Sequence, residues 1–336
     1  MAKRAVLLLA HGTPGNIDEI PEYLRNVVSG RPMPQHVIEE IQHRYAQIGE
    51  PKGHSPLTEL TLEQGALLQS ALVGSDAEAP VYVGMRNWRP YIAEVVKQMR
   101  IDGIEEAAVI CLAPQNSRTS VGLYRRAALA EAAGIKMDFI DGWAGEPLLA
   151  DAFADCLAPI HARLSAETGS PVPVLFTAHS VPCRTVLTPA ASEGQPMHWP
   201  SYTPDNGPDP YAIESKLTAR NVAERISNLP AWYFAFQSQG MSGGPWIGPT
   251  VEATLNGIAA QGAKAVILQP IGFLCDHVEI LYDIDIAFRE HAANLGMHLE
   301  RSESLNASPI LTLALVKLAR EGFARLASSS AIRQAG

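Results

Sequence analysis

Short apolar runs recur along the chain, and stretches with helical spacing lie between them. The apolar runs are 5–10, 80–84, 107–112, 172–178, 231–236 and 265–270. The helical patterns are 92–103, 120–134, 213–229 and 250–262. Strands that alternate with helices form parallel sheets. Strands that are apolar throughout, rather than at every second position, are typical of sheets covered on both faces. The pattern therefore predicts an α/β protein with parallel sheets.

The chain also repeats a short pattern. Residues 5–14, AVLLLAHGTP, align without gaps with residues 173–182, PVLFTAHSVP, and both apolar runs end in Ala-His. The later runs follow in the same order in each half. We therefore predict two similar Rossmann-like or flavodoxin-like lobes, at 1–155 and 165–320, and a tail at 321–336. Ligands of open parallel sheets bind beyond the carboxyl ends of the strands, so we expect a cleft there.

The segment 183–210 differs from the rest of the chain. It contains six prolines and has neither a helical nor a strand period. Long irregular segments inside compact domains are usually functional or disordered. We predict that this insertion lies beside the mouth of the cleft, as a lid or an apolar lip.

Charge and cysteine usage narrow the class of protein. The 336 residues carry 26 basic and 35 acidic side chains, a net charge of −9, which argues against a general nucleic-acid binder. No run approaches the roughly 18 apolar residues of a spanning helix, and the first apolar run is too short for a signal peptide. We predict a cytoplasmic protein. The four cysteines are scattered without a CxxC pair, so free thiols are expected rather than a zinc or iron–sulfur site.

An acidic block follows the run 265–270. In the block 276–285, DHVEILYDID, Glu279 and Asp283 are four residues apart and share one face of a helix. Like charges at this spacing destabilise a helix slightly, and cation binding is one reason to keep them. The alternative is a solvated acidic first turn that the helix dipole favours.

Two histidines follow equivalent apolar runs. His179 directly follows the run 172–178. Its position leaves three interpretations open: a base, a metal ligand or a core residue. His11 ends the run 5–10, and Gly12 after it permits a tight turn near a ligand. Nucleotide binding has no support from a GxGxxG or GxxxxGK[ST] motif.

Basic and hydroxyl side chains cluster in the first half of the chain. They are Arg31, Arg44, Ser55, Arg86, Arg89, Arg118 and Tyr124. Arginine suits bidentate capture of carboxylates. These side chains are either scattered over the surface or form a local anion site.

The sequence resembles the ferrochelatases along nearly its whole length. In the first half the motifs are AHGTP at 10–14, RY at 44–45 with IG at 48–49, SPL at 55–57, VGM at 83–85 and LAP at 112–114. In the second half they are AHSVP at 178–182, DPY at 209–211, QS at 237–238, PWIGP at 245–249 and the stretch 270–285. The His-Ser pair together with the acidic block is the most specific part of the resemblance.

The resemblance implies a porphyrin cleft between the two lobes and insertion of Fe²⁺ into a porphyrin, with release of two protons, in haem biosynthesis. His179 and Glu279 match the catalytic and metal-handling pair, and Asp283 falls on the acidic face that leads cations inward. Porphyrin-binding positions are matched by Arg31, Arg44, Ser55 and Tyr124, and an apolar wall by Met85 and Trp88.

The chain also departs from the family pattern. His11 stands where many bacterial relatives carry tyrosine, which places a second imidazole opposite His179 as an iron ligand or a porphyrin-retaining group. Ala287 replaces a third carboxylate of some relatives. No cysteine follows Leu311, so we expect no iron–sulfur cluster and no other tightly bound cofactor.

Several alternatives stay open at this stage. The substrate is protoporphyrin IX or coproporphyrin III. A peripheral membrane contact is expected only if the insertion at 183–210 is an apolar lip. The competing functions are a cobalt or nickel chelatase for a sirohydrochlorin-type ring and a non-catalytic haem or porphyrin carrier. The sequence, without coiled-coil heptads or a cluster motif, does not indicate an oligomeric state, and a monomer is the default expectation.

Overall fold

The computed structural model describes residues 2–49, 53–186, 209–240 and 245–334, with side chains up to residue 329. It contains two four-stranded sheets, and every strand pair is parallel. The first sheet has the order β2-β1-β3-β4, from β1 (Arg4–Ala10), β2 (Val81–Met85), β3 (Glu106–Cys111) and β4 (Lys136–Ile140). The second has the order β6-β5-β7-β8, from β5 (Val174–His179), β6 (Trp232–Gln237), β7 (Ala265–Pro270) and β8 (His298–Arg301). The predicted α/β fold with two parallel-sheet lobes is confirmed.

The two sheets have the same topology. The first strand of each half, β1 or β5, lies second in its sheet, between the second and third strands of that half. Leu8 of β1 lies beside Val83 and Ile110, and Phe176 of β5 lies beside Phe234 and Gln269. The sequence repeat therefore marks equivalent strands, and both Ala-His pairs lie at equivalent strand ends.

Helices cover both faces of each sheet. In chain order they are α1 (Ile20–Val27), α2 (Gln35–Tyr45), α3 (Leu57–Leu72), α4 (Ile92–Ile101), α5 (Val121–Glu131), α6 (Pro147–Thr168), α7 (Cys183–Val186), α8 (Tyr211–Ala223), α9 (Val251–Ala260), α10 (Val278–Leu281), α11 (Arg289–Asn294) and α12 (Pro309–Gln334). A short 3₁₀ turn (Ile17–Glu19) precedes α1, and a π-helical segment (Asp283–Phe288) follows α10. Helices α4 and α5 cover the outer face of the first sheet, and α9 and α11 that of the second.

The long helices α6 and α12 cross between the lobes. Helix α6 follows the first sheet but packs on α8 and β7 of the second lobe, whereas α12 follows the second sheet and packs on β3 and β4 of the first. One continuous core therefore runs between the two sheets. Both predicted lobe boundaries, 155 and 165, fall inside α6, and residues 321–334 of the predicted tail belong to α12. The exact division into lobes stays a prediction.

Strands β4 and β8 were not predicted, because neither contains a continuous apolar run. The sequences of β4 and β8, KMDFI and HLER, mix polar and apolar residues instead of being apolar throughout. A search for continuous apolar runs therefore misses them, although it finds β2 and β6 at the other sheet edges. Strand β1, with its last six residues buried, is apolar along that length and was predictable.

Helices α1 and α2 form a cap over the second lobe's acidic block. Their apolar residues, with Ile20, Leu24 and Tyr45 at the centre, pack against Val278, Leu281 and Tyr282. This cap comes from the first lobe and lies on the segment that carries Glu279. The carboxyl ends of the two central strands therefore face a cleft that the cap covers.

Candidate active site

His179 is the last residue of β5. It leaves the sheet beside Gln237 of β6, and the hydroxyl of Tyr211 donates to its backbone carbonyl over 2.9 Å. Its Nδ1 is hydrogen-bonded to the carbonyl of Ser180, so Nε2 is the ring nitrogen turned to the cleft. The ring of Phe273 packs edge-on at 6.2 Å between ring centroids. The strand end and these contacts together hold the imidazole in one orientation.

Glu279 lies between two imidazoles. Its Oε1 is 3.3 Å from Nε2 of His179, and its Oε2 is 3.4 Å from Nε2 of His277. The other ring nitrogen of His277 contacts the carbonyl of Cys275 at 3.0 Å. The side-chain amide of Gln237 donates to the backbone carbonyl of Glu279 over 2.9 Å. The predicted pair of His179 and Glu279 is thus in direct contact.

The pair stabilises its charged form. Burial by itself raises the pKa of Glu279, but the imidazoles of His179 and His277 hold that pKa well below its usual range. Burial lowers the pKa of His179, and the opposing effect of the Glu279 carboxylate leaves that pKa raised. Opposite charges at this distance favour each other's ionised form. His179 is therefore a stronger base than a free imidazole.

Asp283 lies one turn beyond Glu279 but not on a regular α-helix. Helix α10 has a single turn, and Asp283 begins the π-helical segment, in which the amide of Ala287 donates to the carbonyl of Tyr282 over 3.0 Å. Glu279 and Asp283 therefore do not share one regular α-helix, which is the geometry that their spacing was taken to indicate. The carboxylate accepts from the hydroxyl of Ser238 and lies 3.4 Å from Nη1 of Arg44.

Asp283 titrates near neutral pH. Burial raises its pKa to about 6, the negative charge of Glu279 adds to that rise, and Ser238 and Arg44 oppose it. An aspartate with this pKa is able to take up and release protons in the working pH range. The Asp283 side chain is 9% exposed and that of Glu279 is 34% exposed, and both carboxylates contact protein groups, so this turn is not the fully solvated feature that the alternative interpretation required.

His11 is a neutral imidazole on the first-lobe side of the cleft. Its Nε2 lies 2.8 Å from the hydroxyl of Tyr23, and the side-chain amide of Asn87 is 3.2 Å from both ring nitrogens. Burial lowers its pKa to about 4. The charges of Glu279 and His179 act on it, so His11 and His179 face the same cleft.

Of the predicted porphyrin-binding residues, four are buried around His11 and the cleft floor. Ser55 bonds to Thr13 at 3.1 Å between hydroxyl oxygens. Gly12 packs so closely on Met85 and Trp88 that an added Cβ would lie 2.7 Å and 3.1 Å from their Cβ atoms. The buried members are Ser55, Met85, Trp88 and Tyr124.

The two predicted propionate-binding arginines are not together. Arg31 is exposed, and its Nε donates to the carbonyl of Val28 over 2.9 Å. Arg44 is engaged by Glu40 at 3.0 Å as well as by Asp283. The structure therefore brings Arg44, but not Arg31, into the acidic site.

Two other arginines carry charge that no carboxylate in the described ranges neutralises by direct contact. Nη1 of Arg86 donates to the amide oxygen of Asn87 over 3.1 Å, and burial lowers the pKa of Arg86. Nε and Nη2 of Arg118 are buried without a hydrogen-bond partner. Both residues are partly buried, and the charge of Arg118 also interacts with the Asp209 carboxylate. An anionic ligand in contact with either guanidinium would add a direct, charge-assisted hydrogen bond.

The sequence assigned no role to five side chains at the site: Tyr23, Tyr211, Gln237, Ser238 and His277. Gln237-Ser238 and Asp209-Pro210-Tyr211 had been noticed as motifs, and His277 as part of the acidic block. Tyr23 gave no signal, because its position in α1 reads as part of an amphipathic helix. Only the packing of the cap over the cleft brings Tyr23 to His11.

The described residues show neither a preformed metal site nor a membrane-spanning helix. They contain no group of three or more His, Cys, Asp or Glu side chains arranged to hold a metal ion. No helix among them is long and apolar enough to span a bilayer. Cys111, Cys156, Cys183 and Cys275 are free thiols. Within the predicted insertion, residues 187–208 lie outside the described residues.

The fold is that of a two-lobed α/β protein with a cleft at the ends of two matched parallel sheets. The sirohydrochlorin chelatase SirB from Bacillus subtilis in complex with cobalt shares the fold, with a TM-score of 0.52, 12% identity and 95% of each chain covered. The sequence model of the ferrochelatase family matches residues 3–323. A ferrochelatase of Acidobacterium capsulatum is 62% identical over 98% of this chain and 97% of its own. A coproporphyrin III ferrochelatase of a Geobacillus species is 32% identical over 95% of this chain and 98% of its own. The chain belongs to the ferrochelatase family.

Proposed function

We propose that this protein inserts Fe²⁺ into a porphyrin and releases both pyrrole protons. The observation that carries the proposal is the contact of His179 with Glu279 at the carboxyl end of β5. The reaction exchanges two N–H bonds for bonds from the four ring nitrogens to iron. A site for it needs a proton acceptor beside a carboxylate, and this pair supplies both.

His179 accepts the first pyrrole proton. Its Nε2 faces the cleft, and the carboxylate of Glu279 stabilises the imidazolium that forms. General-base catalysis of this kind contributes typically 10²–10⁴-fold. His277 contacts the other carboxylate oxygen and provides a second imidazole within reach of the same proton.

Asp283 and Glu279 attract the incoming cation. Their carboxylates form a negative path from Ser238 towards His179, and carboxylates are ligands that divalent cations accept. A planar ring shields its nitrogen lone pairs. A cleft that binds the ring in a bent form therefore lowers the barrier, because it favours the distorted state over the planar one.

Coproporphyrin III, with four propionates, is the proposed porphyrin. Arg86 and Arg118 are cations without a carboxylate in contact, and propionates would supply one. Exposed Arg31 adds a third positive group beside the cap. The naming of the Geobacillus relative as a coproporphyrin III ferrochelatase supports this choice.

The remaining properties are proposed with the same function. We expect a cytoplasmic monomer that holds no cofactor besides its substrates and contains no iron–sulfur cluster. Sedimentation and metal analysis of the purified protein test these expectations. A sedimenting dimer, or iron and sulfide in stoichiometric amounts, would contradict them.

The test is anaerobic turnover with Fe²⁺, with coproporphyrin III and protoporphyrin IX offered in parallel. We expect turnover with a preference for coproporphyrin III. His179→Ala and Glu279→Gln should each lose at least about a hundredfold in kcat, the lower range of a general-base contribution. His298→Gln, at a side chain that is 62% exposed, is the matched control and should keep the wild-type rate.

Each other outcome has a definite meaning. A preference for protoporphyrin IX would overturn the proposed substrate but not the reaction. Tight porphyrin binding without metallation would favour the carrier function and direct attention to His11. Insertion of cobalt or nickel into a sirohydrochlorin-type ring, with no iron insertion, would contradict the proposal.

A further inference from the structure

Arg301, at the end of β8, holds both ends of the segment that carries the acidic site. Its Nε and Nη2 donate to the two carboxylate oxygens of Asp285 over 2.8 and 2.9 Å. Its Nη1 donates to Oδ1 of Asp276 over 3.1 Å. The Arg301 side chain is only 13% exposed. One planar guanidinium therefore joins two carboxylates that are nine positions apart in the chain.

Residues that follow Arg301 in the chain also bind Asp276, one of its two carboxylate partners. The hydroxyl of Ser304 donates to Asp276 over 2.7 Å, and the side-chain amide of Asn306 donates to it over 3.1 Å. The amide oxygen of Asn306 accepts from the backbone N–H of Asp276 over 2.9 Å. Asp276 is thus fully engaged in a network, and none of its bonds reaches Glu279.

The segment between Asp276 and Asp285 needs such support. It contains one turn of α10 and the start of a π-helical segment, and π-helical turns are rare and used mostly at functional sites. Within it, Glu279 is placed by its contacts with two imidazoles and by the bond from Gln237 to its backbone. A short irregular helix does not by itself keep a carboxylate within hydrogen-bond reach of a base.

We propose that Arg301 is a positioning residue for Glu279. Its fork fixes the distance between Asp276 and Asp285, and so sets the path of the backbone that presents Glu279 to His179. Arginine is suited to this task because its five N–H donors lie in one rigid plane. Lysine in its place keeps the charge but cannot hold both carboxylates in the same geometry. The inference rests on the proposed ferrochelatase activity.

The test compares Arg301→Lys with Arg289→Lys. Arg289 contacts Asp285 alone, at 3.5 Å, from a side chain that is 52% exposed, so its replacement is the matched control. We expect Arg301→Lys to lower kcat by about tenfold to a hundredfold, the cost of misplacing a catalytic group by about 1 Å, with KM for the porphyrin unchanged. Arg289→Lys should retain the wild-type kcat. Asp285→Asn weakens the same fork from the other side and should reproduce the loss.

A double-variant comparison separates positioning from general damage. In a Glu279→Gln background, Arg301→Lys should change the residual rate by less than about twofold, because the group it positions is gone. An equal loss in both backgrounds would overturn the proposal. So would a loss in KM alone or a wild-type kcat for Arg301→Lys.

Hydrogen exchange gives a second readout that does not depend on turnover. Faster amide exchange confined to residues 278–283 in Arg301→Lys supports the positioning role, and unchanged exchange there overturns it. A wild-type protein that does not metallate porphyrin would contradict the proposed function, and the exchange result would still decide the role of Arg301.

Discussion

At the scale of single residues, the site shows how neighbouring groups give two carboxylates different pKa values. Glu279 and Asp283 are both carboxylates in one cleft, yet the pKa of Glu279 is held well below its usual range and that of Asp283 is raised to about 6. Two imidazoles contact Glu279, whereas Asp283 has a hydroxyl and a more distant guanidinium. One carboxylate therefore stays ionised while the other exchanges protons.

Replacing Asp283 should remove part of the decrease of kcat/KM for Fe²⁺ at acidic pH; that decrease is called the acid limb of the pH profile. Because its pKa is about 6, the carboxylate is lost as the pH falls through that value, and kcat/KM for Fe²⁺ should fall with it. Asp283→Asn should lower kcat/KM for Fe²⁺ at pH 7.5 by about tenfold, as loss of electrostatic attraction does, and remove the component of the limb centred at about pH 6. The decrease caused by protonation of His179, whose pKa is raised above its ordinary value, should remain. Initial rates from pH 5 to 8 measure both effects.

The same shift predicts the direction of the stability change. The pKa of Asp283 is higher in the folded chain than its ordinary value of 3.8, so the favourable contribution of the protonated form is present below that value and lost as the pH rises through about 6. Asp283→Asn, which mimics the protonated form, should gain Tm relative to the wild type at pH 7 but not at pH 4. Asp76→Asn, at a side chain that is 77% exposed, is the control. In the activity profile, a component centred at about pH 6 that persists in Asp283→Asn would belong to another group.

At the scale of elements, the sequence predicted those strands and helices whose pattern of apolar residues reflects burial on one or both sides. The central strands β1, β5 and β7 are buried along nearly their whole length, and their apolar runs predicted them. The long helices α6 and α12 lacked a clear amphipathic stripe, because they lie between the two sheets and bury residues on several faces. Their partners follow from the topology and not from their sequences.

The crossing of α12 onto the first sheet depends on a close approach at Gly322. A Cβ there would lie 2.7 Å from Cβ of Ala108 in β3. Gly322→Ala should therefore lower the free energy of unfolding by about 1–3 kcal/mol, the usual cost of overpacking. In Gly257→Ala, also within a helix but with open space around the new Cβ, helix propensity should raise stability by about 0.5–1 kcal/mol. Urea unfolding measures both, and equal effects of the same sign would contradict the packing argument.

At the scale of the whole molecule, the cap and the acidic site are connected across the cleft. Arg44 of α2 reaches Asp283 in the other lobe, and its guanidinium lies over the ring of Tyr282 at 5.3 Å. The Arg44 side chain is 39% exposed, so this ion pair contributes less than about 1 kcal/mol to stability. Its effect on the chemistry is larger than its effect on folding, because it lowers the pKa of the carboxylate that titrates near neutrality.

Arg44→Gln should therefore move the acid limb to higher pH. Arg44 opposes the rise in the pKa of Asp283, and its removal raises that pKa further above about 6. The pH profile of kcat/KM for Fe²⁺ measures the shift, and Tm should change little. In Asp283→Asn the same Arg44 substitution should shift nothing. A shift that survives without Asp283 would show that Arg44 acts through a different group.

Much of the protein follows from local sequence. The apolar runs predict the central strands, since those strands are covered on both faces. The repeated Ala-His pairs identify equivalent strand ends, because two halves with the same strand order place them alike. The resemblance to the ferrochelatases pairs His179 with Glu279, and the structure gives the reason: both follow central strands of one sheet, whose carboxyl ends meet at one edge.

The tertiary structure decided what depends on contacts between distant segments. The cap joins Tyr23 to His11 and Arg44 to Asp283, and the fork of Arg301 joins Asp276 to Asp285. Each contact is set by how helices and strand ends from separate parts of the chain pack together, and no local period encodes that packing. The pKa values of the side chains at the site were also decided by the tertiary structure. They depend on burial and on neighbouring charges, which exist only once the two lobes enclose the cleft.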